Sequence, residues 1–339
     1  MNSILTHPLF WNILEESGSI NESRGMKRFN FIAGDSKLTT FSKTHSYGEY
    51  IFDWGWADAF ARYGVPYYPK LTSMVPFTPA TAEHFRGPQK DWPELLGQHE
   101  ELLKHHSSAH FLFTTEIENL FLQENQYLLR DSFQYHFFNE DYKDFEDFLS
   151  RLKSKKAKNI RIERNQPNIQ IERLTGSELS QTHAHEMYQF YLMTLEGKKA
   201  IPYLTKEFYS LLFERLPHNV LYVRASSEDK LLAGALFFYD EVRMYGRYWG
   251  SSTFVPNLHF ELCYYQGIEF CIERGLKVFE AGAQGEHKIA RGFRPVLTRS
   301  AHKINHPDFS RGIANFIEEE KIQIAEDIKV LNSYLPFKN

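Results

Sequence analysis

Between residues 169 and 304 the hydrophobic pattern changes period in an order that few folds accommodate. Residues 169–174 (IQIERL) alternate as a strand. Two helical stretches follow, 177–195 and 205–216, opened by Ser177 and Thr205 as N-caps. Residues 220–225, 231–239 and 242–249 read as three strands. The turns between them, at 226–230 and 240–241, are short enough for an antiparallel meander. Residues 260–274 are helical and stop at Gly275, the residue type best suited to the left-handed position after a helix. Residues 276–281 form a strand, 284–293 a glycine-flanked short helix or loop, and 296–304 a last strand. A C-terminal helix covers 313–334. The order β–α–α–β–β–β–α–β–α–β predicts an α/β (mixed-sheet α+β) domain.

The first half is less regular. Residues 10–17 read as a short helix, 27–33 and 38–43 as strands, 92–106 as a helix and 109–115 as a strand. A short helix at 121–126 and one or two strands at 127–138 follow. Helix, strand pair, aromatic segment, helix and strand resemble a degenerate copy of the second half, although no sequence repeat supports a duplication. The expected domains are 1–140 and 141–339. The second holds a basic helix and linker (141–164), the 169–304 core and the C-terminal helix.

Hydrophobic residues make up 42% of the 339 and charged residues 24%, the balance of a folded soluble chain rather than a disordered one. The longest apolar run, 231–239, is too short to span a bilayer, and the N-terminus lacks the basic region of a signal peptide. Cys263 and Cys271 are expected to be reduced core thiols, as in the cytoplasm. The net charge of −4 argues against a general nucleic-acid binder. Two segments run the other way. Residues 151–164 (RLKSKKAKNIRIER) carry seven basic residues and one acid. Residues 280–303 carry Lys288, Arg291, Arg294, Arg299 and Lys303 against Glu280 and Glu286.

Residues 45–71 (HSYGEYIFDWGWADAFARYGVPYYPKL) with VPFTP, and 280–302 (EAGAQGEHKIARGFRPVLTRSAH), resemble the FemAB-like family, often labelled peptidoglycan biosynthesis/recognition and placed in the GNAT superfamily. The basic segment 150–164 resembles the family's as well. The order of elements fits the GNAT, acyl-CoA N-acyltransferase fold. The resemblance implies tandem GNAT-like domains and transfer of an acyl or aminoacyl group to an amine. The named Fem transferases use aminoacyl-tRNA and extend the peptide of cell-wall precursors. The chain departs from the acetyl-CoA-dependent pattern Q/R-x-x-G-x-G/A, in which backbone N–H groups cradle a pyrophosphate. Here the corresponding stretch is Arg247-Tyr-Trp-Gly250-Ser-Ser252, with serine in the last place.

Acyl transfer to an amine needs a proton acceptor, a donor to the oxyanion and a grip on the carrier. Segment 281–295 offers all three. Glu286, His287 and Glu280 are candidate bases, with an ion-pair role the alternative for both glutamates. Gly282, Gln284 and Gly285 permit tight turns with exposed N–H groups. Lys288, Arg291 and Arg294, spaced by three, are expected to grip an anionic carrier together with Arg247 and Gly250. Asp53, Trp54, Trp56, Tyr67, Tyr68 and Lys70 are expected to line an acceptor groove or to form core, and His302 to point back to the cleft. Glu286 and His287, adjacent and without a fitting third ligand, do not predict a metal site. The expected activity is acyl or aminoacyl transfer from acyl-CoA or an aminoacyl-tRNA end to a peptide-like or muropeptide acceptor. A non-catalytic peptidoglycan-recognition protein on the same scaffold is the rival, and RNA binding through 151–164 a third reading.

Overall fold

The structure, a computed structural model, describes residues 3–228 and 230–338; Asp229, in the turn expected at 226–230, lies outside the described residues. The strands in chain order are β1 (Met26–Ala33), β2 (Ser36–Lys43), β3 (Lys70–Ser73), β4 (Ser108–Leu112), β5 (Leu128–Phe138), β6 (Gln170–Thr175), β7 (Val220–Ser227), β8 (Lys230–Tyr239), β9 (Arg243–Ser251), β10 (Val278–Glu280) and β11 (Arg294–Ile304). The first helices are α1 (Pro8–Glu16), α2 (Trp54–Arg62), α3 (Trp92–Leu103), α4 (Glu116–Glu124), α5 (Phe145–Ser150) and α6 (Ser154–Arg164). They are followed by α7 (Gln181–Gly197), α8 (Lys206–Arg215), α9 (Leu258–Phe260), α10 (Gln266–Arg274) and α11 (Pro307–Ser333).

The chain divides into two compact units. The C-unit comprises Met1–Ser19, Gln134–Val296 and Val330–Asn339; the N-unit comprises Ile20–Phe133 and Leu297–Lys329. The chain passes from the N-unit to the C-unit at 133–134. The exchange of residues 1–19 and 297–329 between the halves has no local sequence signal, because it depends on which distant strand each segment pairs with.

In the C-unit the strand order is β5-β10-β9-β8-β7-β6. Strands β6 to β9 form the expected antiparallel meander. Strand β10 pairs parallel with β9 and antiparallel with β5. In the N-unit the order is β1-β2-β3-β4-β11, with β3 and β4 parallel and the other pairs antiparallel. Both sheets therefore step through antiparallel, antiparallel, parallel and antiparallel pairs, β7-β8-β9-β10-β5 in one and β1-β2-β3-β4-β11 in the other. The duplication absent from the amino-acid sequence is present in the topology.

Local chemistry accounts for most of the boundaries. Thr205 caps α8 by accepting the Phe208 N–H, and Gly275 ends α10 at φ 67°. Helix α7 is capped by Ser180, not Ser177, because residues 176–178 form a separate turn. The single helix expected from residue 141 is two, α5 and α6, broken at 151–153. Segment 45–71 is not extended throughout: Trp56 and Phe60 give α2 an apolar face against Ile313 and Ile317 of α11. Phe85, Trp92, Phe111 and Leu122 belong to a further N-unit cluster.

Candidate active site

In the C-unit the parallel ladder ends early. Val278, Phe279 and Glu280 pair with Arg243, Met244 and Tyr245, and there β10 stops while β9 continues to Ser251 along β8. At the same level β9 carries a bulge: Leu236 faces Tyr248 and Phe237 faces Gly246, so Arg247 is one extra residue. Bulges re-aim the backbone and cluster beside active sites. The chain beyond Glu280 turns through Gly282 at φ 88° and Gly285 at φ 116° into a short 3₁₀ helix, Glu286–Arg291. Opposite it, α9 passes into α10 through a π-turn, Glu261–Tyr265, another feature common at functional sites.

His287 is the exposed base at this opening. Its Nε2 lies 2.9 Å from the Tyr264 hydroxyl of the π-turn, which leaves Nδ1 for a ligand. Burial, then Arg291 and Lys288, hold its pKa below the usual 6.5, so the imidazole is neutral at pH 7. Gly285 makes room for it, since a Cβ there would stand 2.6 Å from His287 Cε1. His259, with its ring 5.3 Å from Tyr264 and 6.3 Å from His287, is brought down to about 4 by burial and then by His287 and Lys288.

Lys288 is only 2% exposed. Its ammonium donates to the carbonyls of Gly282 (3.0 Å) and Gln284, and lies 5.8 Å from the Tyr135 ring and 6.0 Å from the Tyr264 ring. Burial pulls its pKa down to about 8. It ties the glycine-rich turn together from inside rather than reaching for a carrier. Gln284 and Glu286 are exposed beside it. Burial raises both thiols, which is the state of a core cysteine and not of a nucleophile.

Several expected carrier ligands are engaged elsewhere. Arg291, 6% exposed, forms a two-pronged pair with Glu163 of α6 (2.8 Å), donates to His287 O (2.7 Å) and lies 3.5 Å over the Phe260 ring. Tyr265 donates to the same carboxylate. Arg294 reaches away to Glu140 (2.6 Å) and lies 4.7 Å from Phe337. The expected clamp of Arg291 and Arg294 is therefore corrected: each arginine already has a carboxylate. Glu280 pairs with Arg243 (2.7 Å), not with Arg294, and is buried. Gly250 sits within β9 opposite Gly234, and a Cβ on it would stand 1.9 Å from Phe190 O. Its lack of a side chain admits α7 against the sheet. Ser252 N donates to Leu232 O (2.8 Å). The R-x-x-G-x-S stretch is thus strand backbone, not a phosphate cradle. Arg247 stays at the bulge, its guanidinium 5.0 Å from the Tyr248 ring.

In the N-unit most of the expected groove residues are interior. Lys70 bonds Asp53, Glu49 (2.7 Å) and Ser46 (2.8 Å); Lys43 lies 3.2 Å from Glu49; Tyr67 donates to Asp53 (2.7 Å). Burial lowers Lys70, but Glu49 and then Asp53 outweigh it and leave its pKa raised. Burial opposes ionisation of Asp53 too, and Lys70 overrides it. His302 Nδ1 is 2.7 Å from His110 Nδ1, and burial keeps both far below the usual histidine value, helped by Lys70 and Arg130 at His110 and by His110 and Arg130 at His302. Asp53, Tyr67, Lys70 and His302 are corrected from groove to core: they satisfy one another beneath α2. Tyr68 is half-buried against Ser46 (2.9 Å). Trp54 is exposed beside Tyr47. Trp56 lines a cavity of about 800 Å³ between α2 and α11.

Sequence reading missed Tyr264, His259, Tyr135 and Glu163. Each acts through a partner that only the fold brings near; Tyr264 lies in a stretch, 260–274, that reads simply as helix, and His259 just before it. Among the described residues no group of three or more His, Cys, Asp or Glu is arranged to hold a metal ion, and no helix is long and apolar enough to cross a membrane.

A family model described as peptidoglycan biosynthesis/recognition, FemAB-like, matches residues 1–339. The chain belongs to the FemAB-like family. Membership places it among proteins of peptidoglycan biosynthesis or recognition, and the mixed α/β, GNAT-type fold expected from its elements is the fold observed. FemX has a similar structure, with TM-score 0.55 at 10% identity over 92% of this chain and 94% of that one. So does the C-terminal domain (DUF2156) of a provisionally assigned lysylphosphatidylglycerol synthetase from Agrobacterium fabrum, with TM-score 0.54 at 11% identity over 90% and 95%. L-PGS from Bacillus licheniformis gives 0.52 at 13% identity over 91% and 96%. At these identities the likeness is one of fold. No curated protein sequence matches the chain.

Proposed function

We propose that the chain is a cytoplasmic acyl- or aminoacyltransferase. It moves an acyl group from an anionic carrier, acyl-CoA or an aminoacyl-tRNA end, to an amine of a peptide-like, cell-wall-precursor acceptor. Family membership supports the acceptor class. The observation that carries the transfer reading is the opening of the β9–β10 pair beyond Tyr245 and Glu280, with the neutral imidazole of His287 at its mouth.

In this reading His287 takes a proton from the acceptor ammonium. The freed amine attacks the acyl carbonyl, and backbone N–H groups of the bulged stretch 246–248 face the oxyanion. On collapse the carrier leaves as thiolate or alkoxide and takes the proton from His287, while the nitrogen of the new amide releases its second proton to solvent, so that one proton is given up per turnover. Tyr264 holds the ring, Lys288 sets the turn, and burial, then Arg291 and Lys288, keep the imidazole neutral.

A recognition protein on the same scaffold is the second reading, and the engagement of Arg291 with Glu163 and of Gly250 with Phe190 favours it. Calorimetric titrations with CoA, acetyl-CoA, an aminoacyl-tRNA and a soluble muropeptide separate the two. A carrier that binds, and binds more weakly to Arg247→Ala, supports transfer. Muropeptide binding with no carrier binding supports recognition.

A further inference from the structure

The N-unit contains a cavity of about 800 Å³, a size typical of ligand pockets, that takes no part in the transfer chemistry above. Its walls are aromatic: Phe52, Trp56 and Tyr63 from the α2 region, Phe309 and Phe316 from α11. Phe52 is 51% exposed and Tyr63 79%, so these rings offer faces to solvent rather than to the core. Phe52 is also held at φ 53°, a left-handed conformation rare for a bulky residue and concentrated at functional sites.

Two glycines keep the space open. Gly55 lies in α2 and Gly312 in α11; both line the cavity, neither has a positive φ, and a Cβ on either would meet no atom within 4 Å. Glycine inside a helix is destabilising relative to alanine. Neither packing nor backbone geometry requires it at these positions, and what both positions share is the cavity.

The polar groups decide the ligand class. Arg130 stands at the wall with its charge neutralised by a two-pronged pair with Glu320 (2.7 and 2.8 Å) and with one N–H on Ile51 O (2.7 Å). Its guanidinium lies 5.1 Å from the Trp56 ring and 5.7 Å from Phe316. Two of its five N–H groups remain beyond those three bonds. His306 Nδ1 is buried without a partner, and Asp308 stands at the rim. A charged ligand would meet an already neutralised pair. A purely apolar chain would strip water from the polar groups and return no hydrogen bond, which is costly. A ring with one C–H face and hydroxyl or amide edges answers both, stacking on the aromatic faces and bonding at its rim.

We propose that this cavity is a saccharide-binding site, in which a pyranose stacks between the aromatic walls and bonds Arg130, His306 and Asp308 through its edge substituents. The proposal concerns binding by the N-unit and is independent of whether the C-unit catalyses transfer. The test is calorimetric titration of the full chain with chitotriose and cellotriose, with decanoate as the apolar comparison. Saturable binding of a saccharide is expected, weakened about tenfold or more by Gly312→Leu, which fills the cavity, and by Phe52→Ala, which removes an exposed face. Melting temperatures check that both variants fold, and Gly312→Leu is expected to melt no lower than the parent. Absence of saccharide saturation up to about 10 mM, saccharide binding untouched by both variants, or saturation by decanoate instead would overturn the proposal.

Discussion

The Tyr264 hydroxyl stands 2.9 Å from His287 Nε2, one residue in a π-turn and the other just past a pair of left-handed glycines. Neither residue is positioned by its own helix preference. The π-turn brings Tyr264 to the opening of β9 and β10, and Gly285 lets the imidazole fold back over the chain. A base placed by two irregular features is what a site, rather than a core, requires.

From this follows a pH dependence. The imidazole acts as base only when neutral, and its pKa is lowered by burial first and then by Arg291 and Lys288. Transfer should hold as pH falls through 6.5 and decline only below it. In His287→Ala the acid limb should vanish and kcat should drop by about 10²–10⁴, while Tyr264→Phe keeps the limb and loses less rate. A pH–rate profile of kcat/KM with its acid midpoint above 6.5 would exclude His287 as the base.

Lys288 predicts a stability effect of known sign. Its pKa is about 8 in the folded chain against an ordinary 10.5. Between those values the unfolded chain holds a proton that the folded chain has released, so unfolding free energy rises with pH across that window; below about pH 8 the full penalty of the buried charge is present. The rise from this group amounts to about 3 kcal/mol. Urea unfolding at pH 7.5 and 10 should show a smaller gain in Lys288→Met than in the parent. Equal gains would mean that Lys288 is not desolvated as described.

Arg291 separates a structural tie from a carrier clamp. Truncating one partner of a buried pair strands the other, at about 3–5 kcal/mol. Arg291→Ala and Glu163→Ala should each destabilise, and the double variant should lose less than the sum of the two. A stable Arg291→Ala protein with weakened carrier binding would restore the clamp.

Much of the architecture was legible. The periods of 220–249, the Thr205 cap and the Gly275 stop are local, and local chemistry placed those elements. Glu163, Tyr264 and Glu320 were invisible as partners because their contacts span tens to hundreds of residues. The aromatic segment 45–71 left groove and core both open for Lys70 and Asp53, and only the fold reveals that they neutralise each other inside. His287 was legible as a base by type, but its neutrality depends on neighbours that only the folded turn supplies.

The glycines yield a paired prediction. Gly250→Ala would drive a Cβ to 1.9 Å from Phe190 O and should cost about 3 kcal/mol or more by overpacking. Gly55→Ala and Gly312→Ala meet open space and should each stabilise by about 0.5–1 kcal/mol through helix preference. Thermal melts of the three variants check the contrast.

The most direct test of the transfer account is a single-turnover assay with labelled acetyl-CoA or a labelled aminoacyl-tRNA mixture and a soluble muropeptide acceptor, run on the parent chain and His287→Ala. The account predicts label on the acceptor amine from one carrier class with the parent, and a loss of at least about 10² in rate with the variant. Muropeptide binding without label transfer from either carrier, or transfer undiminished in His287→Ala, would contradict it.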